Sequence, residues 1–211
     1  MIHIDIACLY LSYKLACEDI GVQPIRSIEL VLSESQRRQR ISINLALDTT
    51  RMMPLIRAIK YLDKLVEVNL ASNKLDDSGT KELCASLMTL ENLRVLNLAN
   101  NRLTSKSIEV LEKMALERNG VMLPTLKTLD ISFNLLGDAS VSKIIGLCRR
   151  QLVAIEELNL ACCLLTSLSW LENEEHWESL MKERQSLISI NLSHNHIELE
   201  LRRHYSANVT I

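Results

Sequence analysis

From Leu65 to Leu75, Leu65, Val68, Leu70 and Leu75 take the first, fourth, sixth and eleventh places of a run whose apolar pattern recurs along the chain. Val68 and Leu70 are two apart, the spacing of a short strand with one covered face, and Asn69 between them points the other way. Past Leu75 the period lengthens. Leu83, Leu87 and Leu90 in "SGTKELCASLMTL" recur at helical spacing and predict a helix that turns one apolar stripe inward. From Leu93 to Leu103 the strand pattern is written again, followed by Ile108, Leu111 and Ala115 on the face of a second helix.

Three further copies run from Leu126 to Leu136, Ile155 to Leu165 and Leu187 to Ile197, and a degenerate one, "RISINLALDTT", runs from Arg40 to Thr50. The ninth place, where a polar side chain can satisfy backbone groups as the chain leaves the strand, holds Asp48, Asn73, Asn101, Asn134, Cys163 and Asn195. The steps between these markers are 25, 28, 33, 29 and 32 residues. L-x-x-L-x-L-x-x-N-x-L at such a period is the leucine-rich repeat. The pattern predicts an α/β solenoid of the ribonuclease-inhibitor-like kind: a curved parallel sheet with helices on its convex side. Strands are expected near 43–45, 67–70, 95–98, 128–131, 157–160 and 189–192. No unit can bury its own apolar face, so stacking is obligatory.

Ahead of the repeats, "IDIACLYLSYKLACEDIG" reads as a helix closed at Gly21, and "IRSIELVL" reads as a strand. Residues 1–39 should therefore cap the open end of the stack, with repeats over 40–211, all in one continuous domain. The C-terminal "ELELRRHYSANVTI" contains no full helix. Either a short helix or tail covers the last strand, or the chain is an excerpt of a longer protein.

Composition narrows the functional classes. The 211 residues are 47% apolar and 24% charged, with a net charge of −2 and only 3% aromatics. That balance gives no nucleic-acid footprint, and five glycines leave little material for phosphate-cradling loops. Apolar stretches are broken by charge before the roughly 18 residues that a membrane span needs, and the N-terminus lacks the basic start of a signal peptide. The six cysteines show no CxxC pair and read as reduced, buried thiols. His194 and His196 have no cysteine partners at zinc-ligand spacing. No arrangement specifies a catalytic triad or acid–base pair, and neither metal nor cofactor is expected.

The non-repeat flanks carry a resemblance. Tyr13, Ala16 and Cys17 lie on the first helix, followed by Leu45–Asp48 and then by Pro54, Leu55, Arg57 and Ala58 before the first regular repeat. Later come "DISFNLLGD", the cysteine-bearing "LACCLL" with a long insertion, and "SLISINLSHN". In this order they resemble the C-terminal leucine-rich region of the Tonsoku-like family. The resemblance implies a non-enzymatic, nuclear scaffold for homologous recombination repair of double-strand breaks at replication forks. It implies a methanesulfonate-sensitivity repair subunit as the bound partner, with only indirect links to chromatin and recombinase. The family's upstream tetratricopeptide and ankyrin repeats are absent from this sequence.

The register assigns the protein-binding candidates. Asn44, Asn69, Asn97, Asp130, Asn159 and Asn191 take the middle outward position, with Glu67 on the same face and Ala or Ser two residues further on. With strands about 4.8 Å apart they make a polar stripe about 25 Å long. It is either a peptide groove offering donors and acceptors, or small polar side chains that relieve crowding on a curved sheet. Trp170 and Trp177 in "SLSWLENEEHWESLMKER" form a secondary candidate, as a binding hot spot or as filling beneath an oversized repeat. The basic Arg37, Arg38, Arg40, Arg51, Arg57 and Lys60 lack interleaved aromatics, which argues for a solvated face or protein contact over direct nucleic-acid binding. Two other classes compete. One is a regulator, activator or inhibitor, of a GTPase or other enzyme, acting through Arg51 or Arg102. The other is a segment of an innate-immunity sensor.

Overall fold

The computed structural model describes residues 6–117, 122–166, 187–197 and 209–210. Seven strands lie side by side in chain order and every pair is parallel. They are β1 (Arg40–Ser42), β2 (Glu67–Asn69), β3 (Val95–Asn97), β4 (Thr128–Asp130), β5 (Glu157–Asn159), β6 (Ser189–Asn191) and β7 (Val209–Thr210). Helices α3 (Thr49–Ile59), α4 (Thr80–Leu87), α5 (Ser105–Glu117) and α6 (Asp138–Arg150) return the chain between strands, each packed on the next. Val68, Leu96, Leu129, Leu158 and Ile190 stand opposite one another in register and are all buried. Each buried leucine-sized side chain contributes about 1.5–3 kcal/mol, so this row and the helical faces behind it supply most of the stability.

The described part of the N-terminal cap is two helices joined by a short connection. α1 (Ile6–Ile20) ends at Gly21, whose φ of 77° allows Val22 N–H to reach Cys17 C=O at 2.9 Å and Gly21 N–H to reach Glu18 C=O at 3.1 Å. These paired bonds satisfy carbonyls that the helix end would leave open. Tyr13, on α1, is buried, its Oη accepting from Ile25 N–H at 3.0 Å. Burial pushes its phenol up to about 12, against the lowering effect of that bond.

Three expectations need correction. "IRSIELVL" belongs to a helix, α2 (Arg26–Arg38), which buries Ile28, Glu29, Leu32 and Ser35. The first strand lies at 40–42, ahead of 43–45, and Ser42 is the residue paired with Asn69. Only three residues separate Ile43 from Leu47, where four separate Leu70 from Leu75, so this first unit has no ninth-place marker. Asp48 is a helix cap: its carboxylate accepts from Arg51 N–H at 2.9 Å at the start of α3. At the far end, Val209 and Thr210 of the C-terminal tail pair with Ile190 and Asn191 as a seventh strand.

Candidate protein-interaction face

Each regular repeat leaves its strand by the same two devices. The middle outward residue takes the amide two positions on: Asn69 Oδ1 accepts from Ala71 N–H at 3.0 Å, Asn97 Oδ1 from Ala99 N–H at 2.9 Å, and Asp130 Oδ1 from Ser132 N–H at 3.0 Å. Asn159 and Asn191 do the same for Ala161 (3.1 Å) and Ser193 (3.0 Å). These contacts fix each amide with its oxygen turned toward the backbone. The stripe therefore offers outward N–H donors from the asparagines, while much of its acceptor capacity is spent within the fold. Asp130 also accepts from Ser132 Oγ at 2.6 Å. Asn69, Asn97, Asp130, Asn159 and Asn191 stand opposite one another in register, and Glu67 lies on the same side of β2 two residues before Asn69, paired with Val95. Asn44 is exposed but follows β1, in the place that Ala71 holds in the next repeat, so it does not join the row. The small residues beside the row are half-buried at the ends and buried at Ser132 and Ala161.

The second device is the ninth-place asparagine. Asn101 Nδ2 donates to Leu70 C=O (3.0 Å), Leu98 C=O (3.0 Å) and Ala99 C=O (3.2 Å), and its Oδ1 accepts from Leu75 N–H at 3.0 Å. Asn73, Asn134 and Asn195 repeat the pattern. Cys163 fills the slot with a thiol, whose Sγ approaches Ile131 C=O at 3.4 Å and Ala161 C=O at 3.5 Å. Desolvation raises this thiol to about 11, and burial raises Cys84 and Cys148 to about 12. These three are packed, protonated thiols with no nucleophilic character at neutral pH.

A set of acids that sequence reasoning passed over ties repeats together on the rim. Asp76 accepts from Thr49 Oγ1 at 2.8 Å, Asp77 from Thr104 N–H (2.9 Å), Thr104 Oγ1 (2.6 Å) and Ser107 Oγ, and Asp138 from Thr166 Oγ1 at 2.6 Å. The signal was an acid just past the eleventh place facing a hydroxyl in the neighbouring unit. Of the basic residues, Arg57 pairs with Asp19 (2.6 Å) and Glu82 (3.6 Å), Arg40 with Glu67 (3.8 Å) and Arg38 with Glu34 (2.8 Å). Those contacts are structural. Trp170 and Trp177 lie outside the described residues, as does His176. No group of three or more metal-ligating side chains gathers among the described residues, and no described helix is long and apolar enough to cross a membrane.

Stacked strand–helix units, an amide ladder inside and an open polar face outside define a leucine-rich-repeat solenoid of the protein-interaction class. Leucine Rich Repeat family models match residues 92–114 and, in a second form, residues 62–84 and 123–144. Over 192 residues, 90% of this chain, the sequence is 27% identical to the Tonsoku-like protein of Danio rerio and 31% identical to that of Bos taurus. The chain thus resembles Tonsoku-like proteins over most of its length, while spanning only 13% and 14% of those relatives' lengths. Among solved structures, Leiomodin-1 Actin-Binding Site 2 is 17% identical, with a TM-score of 0.45 over 86% of this chain and 85% of that one.

Proposed function

We propose that this chain is the non-enzymatic partner-holding part of a nuclear, Tonsoku-like scaffold that serves homologous recombination repair of breaks at replication forks. The observation that carries the reading is the resemblance over 90% of the chain, more than the leucine-rich-repeat models alone match. The binding surface in this reading is the concave face, centred on Asn69, Asn97, Asp130, Asn159 and Asn191, and the partner is the methanesulfonate-sensitivity repair subunit. A preformed solenoid face loses little ordering entropy on binding, and a row of amide donors, interrupted by the Asp130 carboxylate, suits the carbonyls of a partner backbone. Chromatin and the recombinase are reached through that partner.

Replacing Asn97 and Asp130 by arginine places two bulky charges in mid-face and leaves the buried leucines untouched. The substituted chain gives up the turn contacts of Asn97 and Asp130, about 2–3 kcal/mol in all. It should still fold but lose capture of the repair subunit from nuclear extract. In cells whose own scaffold is depleted, the full-length scaffold carrying these changes should fail to restore recombinase foci after camptothecin. Undiminished capture by a folded variant would remove the concave face from consideration. Normal foci without capture would remove the repair assignment.

A further inference from the structure

Five repeats make the same turn with the same side-chain geometry, and one of the five uses a different residue. Asn69, Asn97, Asn159 and Asn191 each accept from the amide two residues on, at 2.9–3.1 Å, and Asp130 does so at 3.0 Å. One side-chain oxygen is all the turn uses. The Ser132 hydroxyl donates to that same oxygen, Oδ1, at 2.6 Å, and the second oxygen of Asp130 has no partner among the described residues. Asparagine serves the fold equally well in four repeats, so what aspartate adds at this one is a negative charge.

The surroundings of Asp130 do not neutralise that charge. Asn97 and Asn159 stand beside it in register. Two residues earlier on the same side are Val95, Thr128 and Glu157, and two later are Ala99, Ser132 and Ala161. Glu157 is a further acid, and its bond from Thr128 Oγ1 at 3.2 Å leaves its charge in place. The cation at the outward positions of β1 to β6 is Arg40, on the far strand β1 and paired with Glu67 at 3.8 Å. Arg94 and Lys127 precede β3 and β4, at the other end of the strands from Asn97 and Asp130, and Lys127 is held by Glu156 at 2.6 Å. Lys74 and Arg102, past the strand ends, run beside Asp48 and Asp76. None of these forms an ion pair with Asp130.

A partner that covers the middle of this face takes the half-buried Asp130 further out of water. A carboxylate desolvated against neutral groups is strongly disfavoured, and amide donors soften the cost without supplying a charge. The fold brings no cation to this point, so the partner must. We propose that Asp130 is the specificity-determining residue of the concave face, and that it selects a partner segment carrying an arginine or lysine side chain over the end of β4. This deepens the reading that the concave face binds protein, and rests on it. Asp130 also sets the register. Along a row of near-identical amides a partner could slide by one repeat, but the slid position separates its cation from Asp130 and leaves the carboxylate covered and unpaired.

The test is selection of randomised displayed peptides on the full chain, followed by fluorescence polarisation of the most enriched peptide. Enriched peptides should share an Arg or Lys at one place. Asp130→Asn keeps the turn contact that asparagine makes in the other repeats, so the melting temperature should hold. Affinity for the peptide should fall about tenfold or more, and its salt dependence should flatten. The Asp130→Lys chain put through the same selection should enrich Asp or Glu instead, an inversion that a purely structural role would not produce. Peptides without a shared cation, no enrichment, or unchanged binding by Asp130→Asn overturns the proposal. Asn97→Arg separates it from the broader reading. If Asn97→Arg abolishes binding while Asp130→Asn leaves it intact, the partner lies on the concave face without reading the charge; the proposal fails and the concave-face reading survives. If neither variant weakens binding, both fail.

Discussion

Replacing Asn101 by alanine tests the internal amide ladder. The side chain is buried and makes four contacts: three donations to Leu70, Leu98 and Ala99 carbonyls at 3.0, 3.0 and 3.2 Å, and one acceptance from Leu75 N–H at 3.0 Å. A typical intramolecular hydrogen bond contributes about 0.5–1.5 kcal/mol net, and a buried donor left unsatisfied costs about 1–3 kcal/mol. The Leu75 amide alone thus accounts for about 2 kcal/mol, and the abandoned carbonyls bring the loss to about 3 kcal/mol or more. At about 2–4 °C per kcal/mol for a domain of this size, Asn101→Ala should lower Tm by about 6–12 °C. Asn100 is the control. It is exposed, and its one side-chain contact is Nδ2 to Ser72 Oγ at 3.2 Å, so Asn100→Ala should cost under about 1 kcal/mol, mostly for alanine in the left-handed backbone of this position. The ladder also contains a natural half-measure at Cys163, whose thiol makes two weak contacts. Asn101→Cys should accordingly fall between parent and alanine, and Cys163→Asn should raise Tm. Thermal melts followed by far-UV circular dichroism give the ranking. Equal losses at Asn100 and Asn101, or a Cys163→Asn variant no more stable than the parent, would refute the account of the ladder.

Other outcomes follow from the same contacts. Leu70 is fully buried, so Leu70→Ala should cost about 2–5 kcal/mol, whereas Asn69→Ala loses one turn contact and about 1 kcal/mol; urea midpoints in the reverse order would show a register error. Asp77 is desolvated, which raises its carboxyl, but Ser107 and Thr104 more than offset this, and Asp76 is lowered chiefly by Ser78. Both fold with depressed values, so their stability contribution is full above the ordinary carboxylate range and is lost as pH falls through the folded value; Asp77→Asn should flatten the decline of Tm below about pH 4. A Cβ on Gly79 would lie 2.7 Å from Thr49 Cγ2 and 3.3 Å from Leu75 Cδ1. Thr49 is pinned by Asp76, so Gly79→Ala should destabilise by about 1–3 kcal/mol, measured by chemical denaturation.

The leucine positions alone put five of the regular strands where the structure has them, because a period of two followed by 3.6 leaves one register in which every core face is covered. What escaped lay where the pattern is short or borrowed. "IRSIELVL" alternates over a few residues, but Ile28 and Leu32 are also four apart, and the helix runs on through Ser35, buried though polar. The first unit's missing residue let two alignments fit equally well by periodicity, and pairing of Ser42 with Asn69 decided between them. At the face, the row of asparagines was legible, but their role as turn caps was not, since a hydrogen bond to the amide two residues on leaves no spacing signature.

A stack whose units touch only their neighbours is as cooperative as its weakest junction. Each ninth-place side chain fastens its own unit to the one before: Asn101 to Leu70, Asn134 to Leu98, Asn195 to Leu160. At the fifth unit the fastener is the Cys163 thiol, 3.4 Å from Ile131 C=O. The junction between β4 and β5 should therefore be the weakest in the array, with the units from the helical cap to β4 on one side and the last strands on the other. Under native conditions the last strands should open first and as a unit. Amides such as Leu160 N–H, bonded to Asn191 C=O at 2.8 Å, would then exchange with solvent well before Leu70 N–H, bonded to Asn97 C=O at the same 2.8 Å. Equal bond lengths with unequal lifetimes would place the difference in how the units are coupled along the array.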